Sequence, residues 1–260
     1  PNKRLILDKI SEYRTKTYGP LDQLLIVFSG HGMFDSQQFQ EGYFIPTQAP
    51  IDDDLHDTYL PFNRLRSWLN SIPCPHILVV LDACQSGAFD ENTALGLSNT
   101  SQPLKTVSLQ IRDTATWRAA LKPNSRLFIT SANLGYASDG RPNSNSPFTL
   151  ALWRTLENFK GADGILSFAE LQQSIPVTEK NTRFGLFGDH QAGGDFLFVP
   201  RNQLSQANSA SRTGLIDAVF QENEEFFWDG ATLLDKRDGH KYPTRTFGRT
   251  VWMAADLQYQ

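Results

Sequence analysis

Two runs of consecutive apolar residues stand out in the first third of the chain. Residues 24–28 form the first run and are followed by Ser29-Gly30-His31-Gly32. Residues 77–81 form the second run and are followed by Asp82-Ala83-Cys84-Gln85-Ser86-Gly87. Continuous apolar runs of this length, ended by small residues and glycine, are typical of strands buried on both faces of a parallel sheet.

Helical patterns separate these strands. Residues 3–17 carry apolar side chains at near-helical spacing, and residues 61–72 begin with a proline, which is favoured at a first helical position. The remaining pattern predicts a short edge strand or hairpin at 43–46, a strand at 126–131, a helix at 148–159, a helix from Ser167 with Glu170 as its capping-box partner, and a closing strand at 194–200. Because strands alternate with helices, we predict an α/β domain with a mainly parallel sheet.

Three stretches depart from this alternation. Residues 88–114 are polar and lack periodicity, as expected of a long functional loop. Residues 202–212 are rich in Ser, Asn, Gln and Ala, which is typical of a linker, and residues 215–227 fit an amphipathic helix. We therefore predict a first domain over residues 1–201, a linker and helix over 202–228, and a small β-rich segment of short hairpins over 229–260.

Net charge, hydropathy and cysteine content limit the classes of binding partner and the cellular compartment that the sequence favours. The 260 residues carry a formal net charge of −4, which argues against nucleic acid or an anionic membrane surface as a partner. No apolar stretch approaches the roughly 18 residues that cross a bilayer. The two cysteines, Cys74 and Cys84, are ten residues apart on a strand that spans about 30 Å, so we expect no bridge between them. Two free thiols favour a reducing compartment, the cytoplasm.

His31 and Cys84 follow the two apolar runs at matching positions. Ligands of open α/β sheets bind outside the carboxyl ends of the strands, where both residues fall. A cysteine thiolate next to an imidazole is a nucleophile with its general acid and base. Taken singly, Cys84 also fits a buried structural thiol and His31 a turn residue. The matched placement favours catalysis.

The motifs Ser29-Gly30-His31-Gly32 and Asp82-Ala83-Cys84-Gln85-Ser86-Gly87, 53 residues apart from histidine to cysteine, resemble the caspase-like cysteine peptidases. The second motif is more similar to metacaspases and bacterial members than to animal caspases. The resemblance covers residues 3–200 and implies a three-layer α/β/α fold. It also implies that the first strands of that fold are missing from this chain, which opens at Pro1, and that another segment supplies them.

The resemblance implies a role for each motif residue. Cys84 is expected to attack a peptide carbonyl, and His31 to protonate the leaving amine and then activate water. The backbone N–H groups of Gly32 and Cys84 are expected to form the oxyanion hole, where glycine permits close approach of the backbone.

Asp82 is the expected specificity residue. In metacaspases the aspartate two residues before the cysteine lines an acidic S1 pocket that selects Arg or Lys, and Asp139 is a candidate second carboxylate for this pocket. Alternatively, Asp82 is a strand-end residue that accepts hydrogen bonds from turn amides. No cofactor is expected. Some metacaspases need Ca²⁺, but three consecutive aspartates, Asp52 to Asp54, do not match calcium-loop spacing and fit a solvated acidic loop.

In such peptidases the segment after the cysteine is often cut during activation. Lys105, Arg112 and Arg118 are therefore candidate self-processing positions. Bacterial relatives act in signalling, defence and regulated cell death, which implies a protein or peptide substrate and an upstream sensor or effector protein as a partner.

The carboxyl-terminal segment has its own resemblance. Asp229-Gly230, Asp238-Gly239, Phe247-Gly248 and Trp252-Met253 are similar to the start of a FISUMP module, with Thr250 and Asp256 departing from its pattern. The alternative is a hairpin packed on the peptidase domain.

Two other functions remain open at this point. A catalytically silent caspase-like scaffold would keep the fold without the chemistry, which the intact Cys84 and His31 disfavour. A thiol hydrolase or acyltransferase would act on small acyl groups, which the acidic Asp82 beside the nucleophile disfavours.

Overall fold

The computed structural model describes residues 1–50, 52–95, 118–140, 144–158, 165–175, 182–199, 226–228, 232–235, 241–247 and 250–253. They fall into two compact units. The first comprises Pro1–Ser138 and Ser167–Leu197, and the second comprises Asp139–Leu166 and Phe198–Gln260. The predicted domain boundaries at residues 201–202 and 228–229 touch segments outside the described residues and stay predictions.

Helices and strands alternate through the first unit. The helices are α1 (Lys3–Arg14), α2 (Phe62–Asn70), a 3₁₀ turn (Ser86–Phe89), α3 (Glu91–Ala94), α4 (Pro147–Asn158) and α5 (Phe168–Ser174), of which α4 belongs to the second unit. The strands are β1 (Gln23–Ser29), β2 (His31–Asp35), β3 (Glu41–Ile45), β4 (Leu60–Pro61), β5 (His76–Asp82), β6 (Ser125–Thr130), β7 (Leu166–Ser167), β8 (Arg183–Leu186), β9 (Leu197–Phe198), β10 (Phe226–Trp228), β11 (Thr232–Asp235), β12 (Lys241–Phe247) and β13 (Thr250–Met253), of which β10 to β13 belong to the second unit. No described helix is both long and apolar enough to cross a bilayer.

The central sheet has the strand order β1-β5-β6-β8. β1, β5 and β6 run parallel, and β8 is antiparallel to β6. β5 lies in the middle, and all seven of its residues are buried. This explains its uninterrupted apolar sequence, because a strand covered on both faces has no solvent-facing positions.

Helices cover both faces of this sheet. Leu65 and Leu69 of α2 share one core with Val79 and Leu81 of β5. On the opposite face, Phe168 of α5 packs edge to face on Phe184 of β8, with ring centroids 5.8 Å apart. The α/β/α architecture predicted from the sequence is therefore confirmed.

A hairpin leaves the carboxyl end of β1. β2 and β3 pair antiparallel, with His31 opposite Ile45 and Phe34 opposite Gly42, and β4 extends the pair. At the far end of the hairpin, the backbone N–H groups of Gln38 and Gln37 donate to Asp35, and these hydrogen bonds hold the pKa of Asp35 below its ordinary value. The hairpin anticipated at residues 43–46 is confirmed, and it begins at His31 itself.

The second unit holds α4 and an antiparallel sheet of order β10-β11-β12-β13. Short hairpins in the carboxyl-terminal segment were predicted and are found at β11 to β13. Phe226 and Phe227 were predicted at the end of a helix and instead form β10 with Trp228. Consecutive aromatic residues favour a paired strand over a helix.

Two further predictions need correction. Within the segment predicted as a long loop, residues 91–94 form α3, which begins where the Asp90 side chain accepts from the N–H of Asn92. The closing strand predicted at 194–200 shrinks to Leu197–Phe198. The strand that completes the central sheet is β8, which the sequence pattern did not reveal.

Candidate active site

Paired strands carry His31 and Cys84 to the same edge of the sheet. β1 and β5 are parallel and in register, and their last pair is Ser29 with Asp82. His31 lies two residues beyond Ser29, and Cys84 lies two residues beyond Asp82. The N–H of Gly30 continues the ladder by donating to the carbonyl oxygen of Asp82 over 3.1 Å. The register thus brings the predicted histidine and cysteine segments together.

The chain turns sharply between β1 and β2 at Gly30. Its φ is +154°, which L side chains rarely adopt, and a Cβ there would be 3.2 Å from the ring of Phe44. After this turn His31 is exposed, whereas Cys84 is half-buried with a free thiol. Of the two candidate catalytic residues, His31 is therefore the more exposed to solvent.

Gly32 lies directly against the Cys84 backbone. A Cβ on residue 32 would be 2.3 Å from the carbonyl oxygen of Cys84 and 3.3 Å from the Ala83 side chain. Only glycine permits this approach without displacing backbone. The two segments that carry the predicted oxyanion-hole amides are therefore in direct contact.

Gln85 shapes the turn after Cys84. Its φ of +52° is in the left-handed region, and its N–H donates to the carbonyl oxygen of Gly135 over 2.7 Å. Its side-chain Oε1 accepts from the N–H of Phe34 over 2.8 Å. The sequence analysis assigned Gln85 no role, although it lies inside the cysteine motif, because nothing local identifies a partner 51 positions away.

Buried hydroxyls fix the same turn from the β6 side. The N–H of Ala83 donates to Ser131 Oγ over 3.1 Å, and the N–H of Ala132 donates to Ser86 Oγ over 3.3 Å. Ser86 and Ser131 are buried. The backbone around Cys84 is therefore tied to the end of β6 before any ligand arrives.

Residues 133–137 run alongside the cysteine turn. Besides the bond to Gly135, the N–H of Gly87 donates to the carbonyl oxygen of Asn133 over 3.0 Å, and Cys84 Sγ is 3.9 Å from the carbonyl oxygen of Ala137. Tyr136 in this segment is 83% exposed. This segment therefore carries an exposed aromatic side chain one residue before Ala137, which the sequence analysis did not identify.

Asp82 is the last residue of β5 and is only 7% exposed. Side chains alternate along a strand, so Asp82 is on the face of β5 opposite to Leu81 and Ala83, which belong to the α2-side core. Asp82 thus places a carboxylate at the carboxyl end of β5, two residues before Cys84. The role of Asp82 stays a prediction.

The remaining predicted residues are the second pocket carboxylate, the processing positions and the acidic loop. Asp139 is exposed and begins the second unit. Lys105 and Arg112 lie outside the described residues, and Arg118 is an exposed residue of a helical turn. Asp53 accepts from both the N–H and the hydroxyl of Thr58, over 2.7 and 2.6 Å. Within the described ranges, no group of three or more His, Cys, Asp or Glu side chains could hold a metal ion.

The second cysteine is unlike the first. Cys74 is fully buried and unbridged, as predicted, and its thiol contacts the carbonyl oxygens of Asp22 and His76. Burial raises the pKa of Cys74 to about 11, so this thiol stays protonated at neutral pH. Of the two thiols, Cys84 is the less buried.

A protein-family model matches the first 195 residues of the chain. The family model for the caspase domain of peptidase family C14 matches residues 1–195. No curated protein matches the chain. Among solved structures, the crystal structure of protein GSU0716 from Geobacter sulfurreducens is similar at 18% identity and a TM-score of 0.42, over 71% of this chain and 72% of that one. Since the family model spans three quarters of the chain and the fold agrees with it, the chain belongs to the caspase-domain family of peptidases, C14.

Proposed function

We propose that the protein is a cysteine endopeptidase that uses Cys84 and His31 to cleave protein substrates after Arg or Lys. The observation that carries the proposal is the register of β1 and β5, which places both residues two positions beyond a paired Ser29 and Asp82. Gly32 in contact with the Cys84 backbone supports the same reading.

Acylation would begin when the Cys84 thiolate attacks the carbonyl carbon of the scissile peptide bond. The carbonyl oxygen becomes an oxyanion, which the N–H groups of Cys84 and Gly32 stabilise. The C–N bond then breaks while the His31 imidazolium gives its proton to the departing amine. The products of this half-reaction are a thioester that joins the amino-terminal substrate fragment to Cys84, and the free carboxyl-terminal fragment with its new amino group.

Deacylation reverses these roles. Neutral His31 takes a proton from water, and the resulting hydroxide attacks the thioester carbonyl. The same two N–H groups stabilise the second oxyanion. When the C–S bond breaks, Cys84 leaves as a thiolate paired with the protonated imidazole, and the carboxylate product departs. The full cycle consumes one water and needs no cofactor.

Asp82 is proposed to select the basic P1 side chain. Its low exposure means that a charged ligand group beside it would be largely desolvated, where charge-assisted hydrogen bonds are strong. A guanidinium can bind a carboxylate with two parallel N–H donors, and an ammonium binds it as a point charge. Asp139 is retained as the second candidate carboxylate.

Self-processing is part of the same proposal. An Arg- or Lys-specific peptidase can cut its own chain at Lys105, Arg112 or Arg118, of which Arg118 is exposed. We place the activity in cytoplasmic bacterial signalling or defence, with a sensor or effector protein upstream. Mass spectrometry of the purified, active protein tests self-processing, and a fully uncut active chain would exclude it.

The first experiment compares fluorogenic peptides with Arg, Lys, Asp or Leu at P1, with and without Ca²⁺. Wild type is compared with Cys84→Ser, His31→Ala and Asp82→Asn. We expect wild type to cleave the Arg and Lys peptides, and Cys84→Ser and His31→Ala to cleave none of the peptides. Asp82→Asn should lose the preference for a basic P1 residue. If no peptide is cleaved and a peptidyl-arginine electrophile fails to label Cys84, the chain is a scaffold; labelling only by acyl-directed reagents would indicate an acyl hydrolase.

A further inference from the structure

Gln85 connects three segments that meet at the active site. Its side chain accepts from Phe34 in β2, its N–H donates to Gly135, and it directly follows Cys84. We propose that Gln85 is a positioning residue for the oxyanion hole: its side-chain oxygen fixes the direction of the Gly32 N–H. This inference rests on the proposed peptidase function of Cys84 and His31.

The direction of the Gly32 N–H follows from the β2–β3 ladder. In an antiparallel pair, the N–H groups of successive residues point alternately toward and away from the partner strand. The N–H of Phe34 donates to Gln85, so it points away from β3. Gly32 is two residues earlier on the same strand, so its N–H points to the same side, toward the turn that carries Cys84.

Gln85 holds this edge of β2 in place. The Phe34 N–H is the next donor after Gly32 on that side of the strand, and Gln85 Oε1 lies 2.8 Å from it. A rotation of the hairpin that redirects the Gly32 N–H would break this hydrogen bond. The hairpin also approaches this turn at Gly32, against the Cys84 carbonyl oxygen, and at Gly42, against the Ala88 side chain; these packing contacts fix distance rather than direction.

The backbone of Gln85 is itself constrained. A non-glycine residue at φ +52° is in a disfavoured backbone conformation, which persists where its surroundings determine it. Here the N–H is bonded to Gly135, and the carbonyl oxygen accepts from the N–H of Ala88 over 3.1 Å. With its backbone fixed at both ends, the side chain reaches Phe34 from a rigid base.

Side-chain length and acceptor chemistry separate this role from simple packing. Gln85→Glu keeps the length and the acceptor oxygen. Gln85→Met keeps the length and removes the acceptor. Gln85→Asn is one methylene shorter, and asparagine tolerates the left-handed backbone well, so it tests reach with the turn conformation favoured. Gln37→Met, on an exposed side chain of the same hairpin, is the matched control.

The experiment measures three rates or affinities for each full-length variant. These are peptide hydrolysis, inhibition by a peptidyl-arginine aldehyde that forms an oxyanion on Cys84, and alkylation of Cys84 by iodoacetamide, which forms none. We expect Gln85→Met and Gln85→Asn to lose about 100-fold in kcat and in aldehyde affinity, the scale of a misplaced catalytic group. KM and alkylation should stay near wild type, and Gln85→Glu should retain most activity.

Two outcomes would overturn the inference: hydrolysis by Gln85→Met and Gln85→Asn equal to wild type, or alkylation reduced as strongly as hydrolysis, which would indicate general damage to the turn. Failure of the proposed function looks different, because wild type itself would then cleave no peptide. If Gln85→Met does not fold, Gln85→Asn carries the test.

Discussion

Gly32 and the carbonyl oxygen of Cys84 are so close that a Cβ on residue 32 would lie 2.3 Å from that oxygen. Contacts this short force backbone to move, and the backbone that must move carries both proposed oxyanion donors. Adding a methyl group at position 32 therefore tests whether the backbone of the turn at Cys84 can move without loss of activity.

Gly32→Ala is expected to reduce kcat for peptide hydrolysis by about 100- to 1000-fold, the effect of losing one oxyanion donor. Steady-state kinetics with an Arg peptide measures it. Gly19→Ala is the control, because a Cβ there meets nothing closer than 3.7 Å. Hydrolysis by Gly32→Ala at the wild-type rate would contradict this prediction, because the backbone would then accommodate the Cβ without displacing the oxyanion donors.

The two thiols are expected to differ in reactivity. At neutral pH, iodoacetamide should label Cys84 in the folded protein and leave Cys74 unmodified, because Cys74 is buried and its pKa is raised to about 11. Peptide mapping after brief labelling measures both sites. Cys84→Ala should take up no label until the protein is unfolded, and label on Cys74 in folded protein would contradict its burial.

Asp195 should make stability depend on pH. Burial raises the pKa of Asp195 from 3.8 to about 6, so the folded protein binds more protons than the unfolded chain between these values. The free energy of unfolding contributed by this group therefore falls as pH rises through that window and stays low above it.

Asp195→Asn removes this titration and keeps an oxygen that accepts from the N–H groups of Phe168 and Phe196. We expect the difference in unfolding free energy, variant minus wild type, to increase by on the order of 2–3 kcal/mol from about pH 4 to about pH 7. Urea denaturation at both values measures the difference, with the exposed Asp8→Asn as control. If Asp195→Asn and wild type differ in stability by the same amount at both pH values, the pKa of Asp195 is not raised.

Arg126 is a buried cation whose loss should destabilise the fold. It is 3% exposed, and its guanidinium donates to Asn70 Oδ1 and to the carbonyl oxygens of Ile72 and Pro75. Arg126→Met would remove these three buried hydrogen bonds, although Asn70 Oδ1 and the Pro75 carbonyl oxygen keep the N–H donors of Asp189 and Ser125. The loss should cost about 1–3 kcal/mol.

The control for Arg126 is Arg4→Met. Arg4 pairs with Asp8 on the surface, with its side chain 82% exposed, and should change stability by less than about 0.5 kcal/mol. Chemical denaturation of both variants gives the comparison. Equal losses would mean that burial does not determine the contribution of either arginine.

The fold was largely predictable from the sequence where burial leaves a strong pattern. β1, β5 and β6 are apolar runs with clear ends, and the capping box of Ser167 and Glu170 forms as predicted. β8 was missed because Arg183-Phe184-Gly185-Leu186 is short, contains a glycine and is half-buried. That glycine is required by packing, since a Cβ there would be 2.2 Å from the ring of Phe128.

The site was predictable at the level of its motifs and no further. Cys84 and His31 follow recognisable strands, so their meeting at one edge follows from topology. The bond between Gln85 and Phe34 depends on the left-handed turn at Gln85 and on the hairpin twist, and neither leaves a local sequence signal. Tyr136 gave no signal either, because a single aromatic residue in a Gly- and Ser-rich loop has no periodicity.

The hydrogen-bond ladder between β1 and β5 also sets which changes this chain can accumulate. Substituting one apolar residue for another within either strand leaves the pairing of Ser29 with Asp82 intact, so the apolar sequence of these strands can change during evolution. A one-residue insertion or deletion between the ladder and His31 or Cys84 would shift one partner by about 3.3 Å and turn its side chain to the opposite face. Sequence length in these short segments is thus constrained more strictly than sequence identity, and alignment gaps should avoid them even among highly divergent homologues.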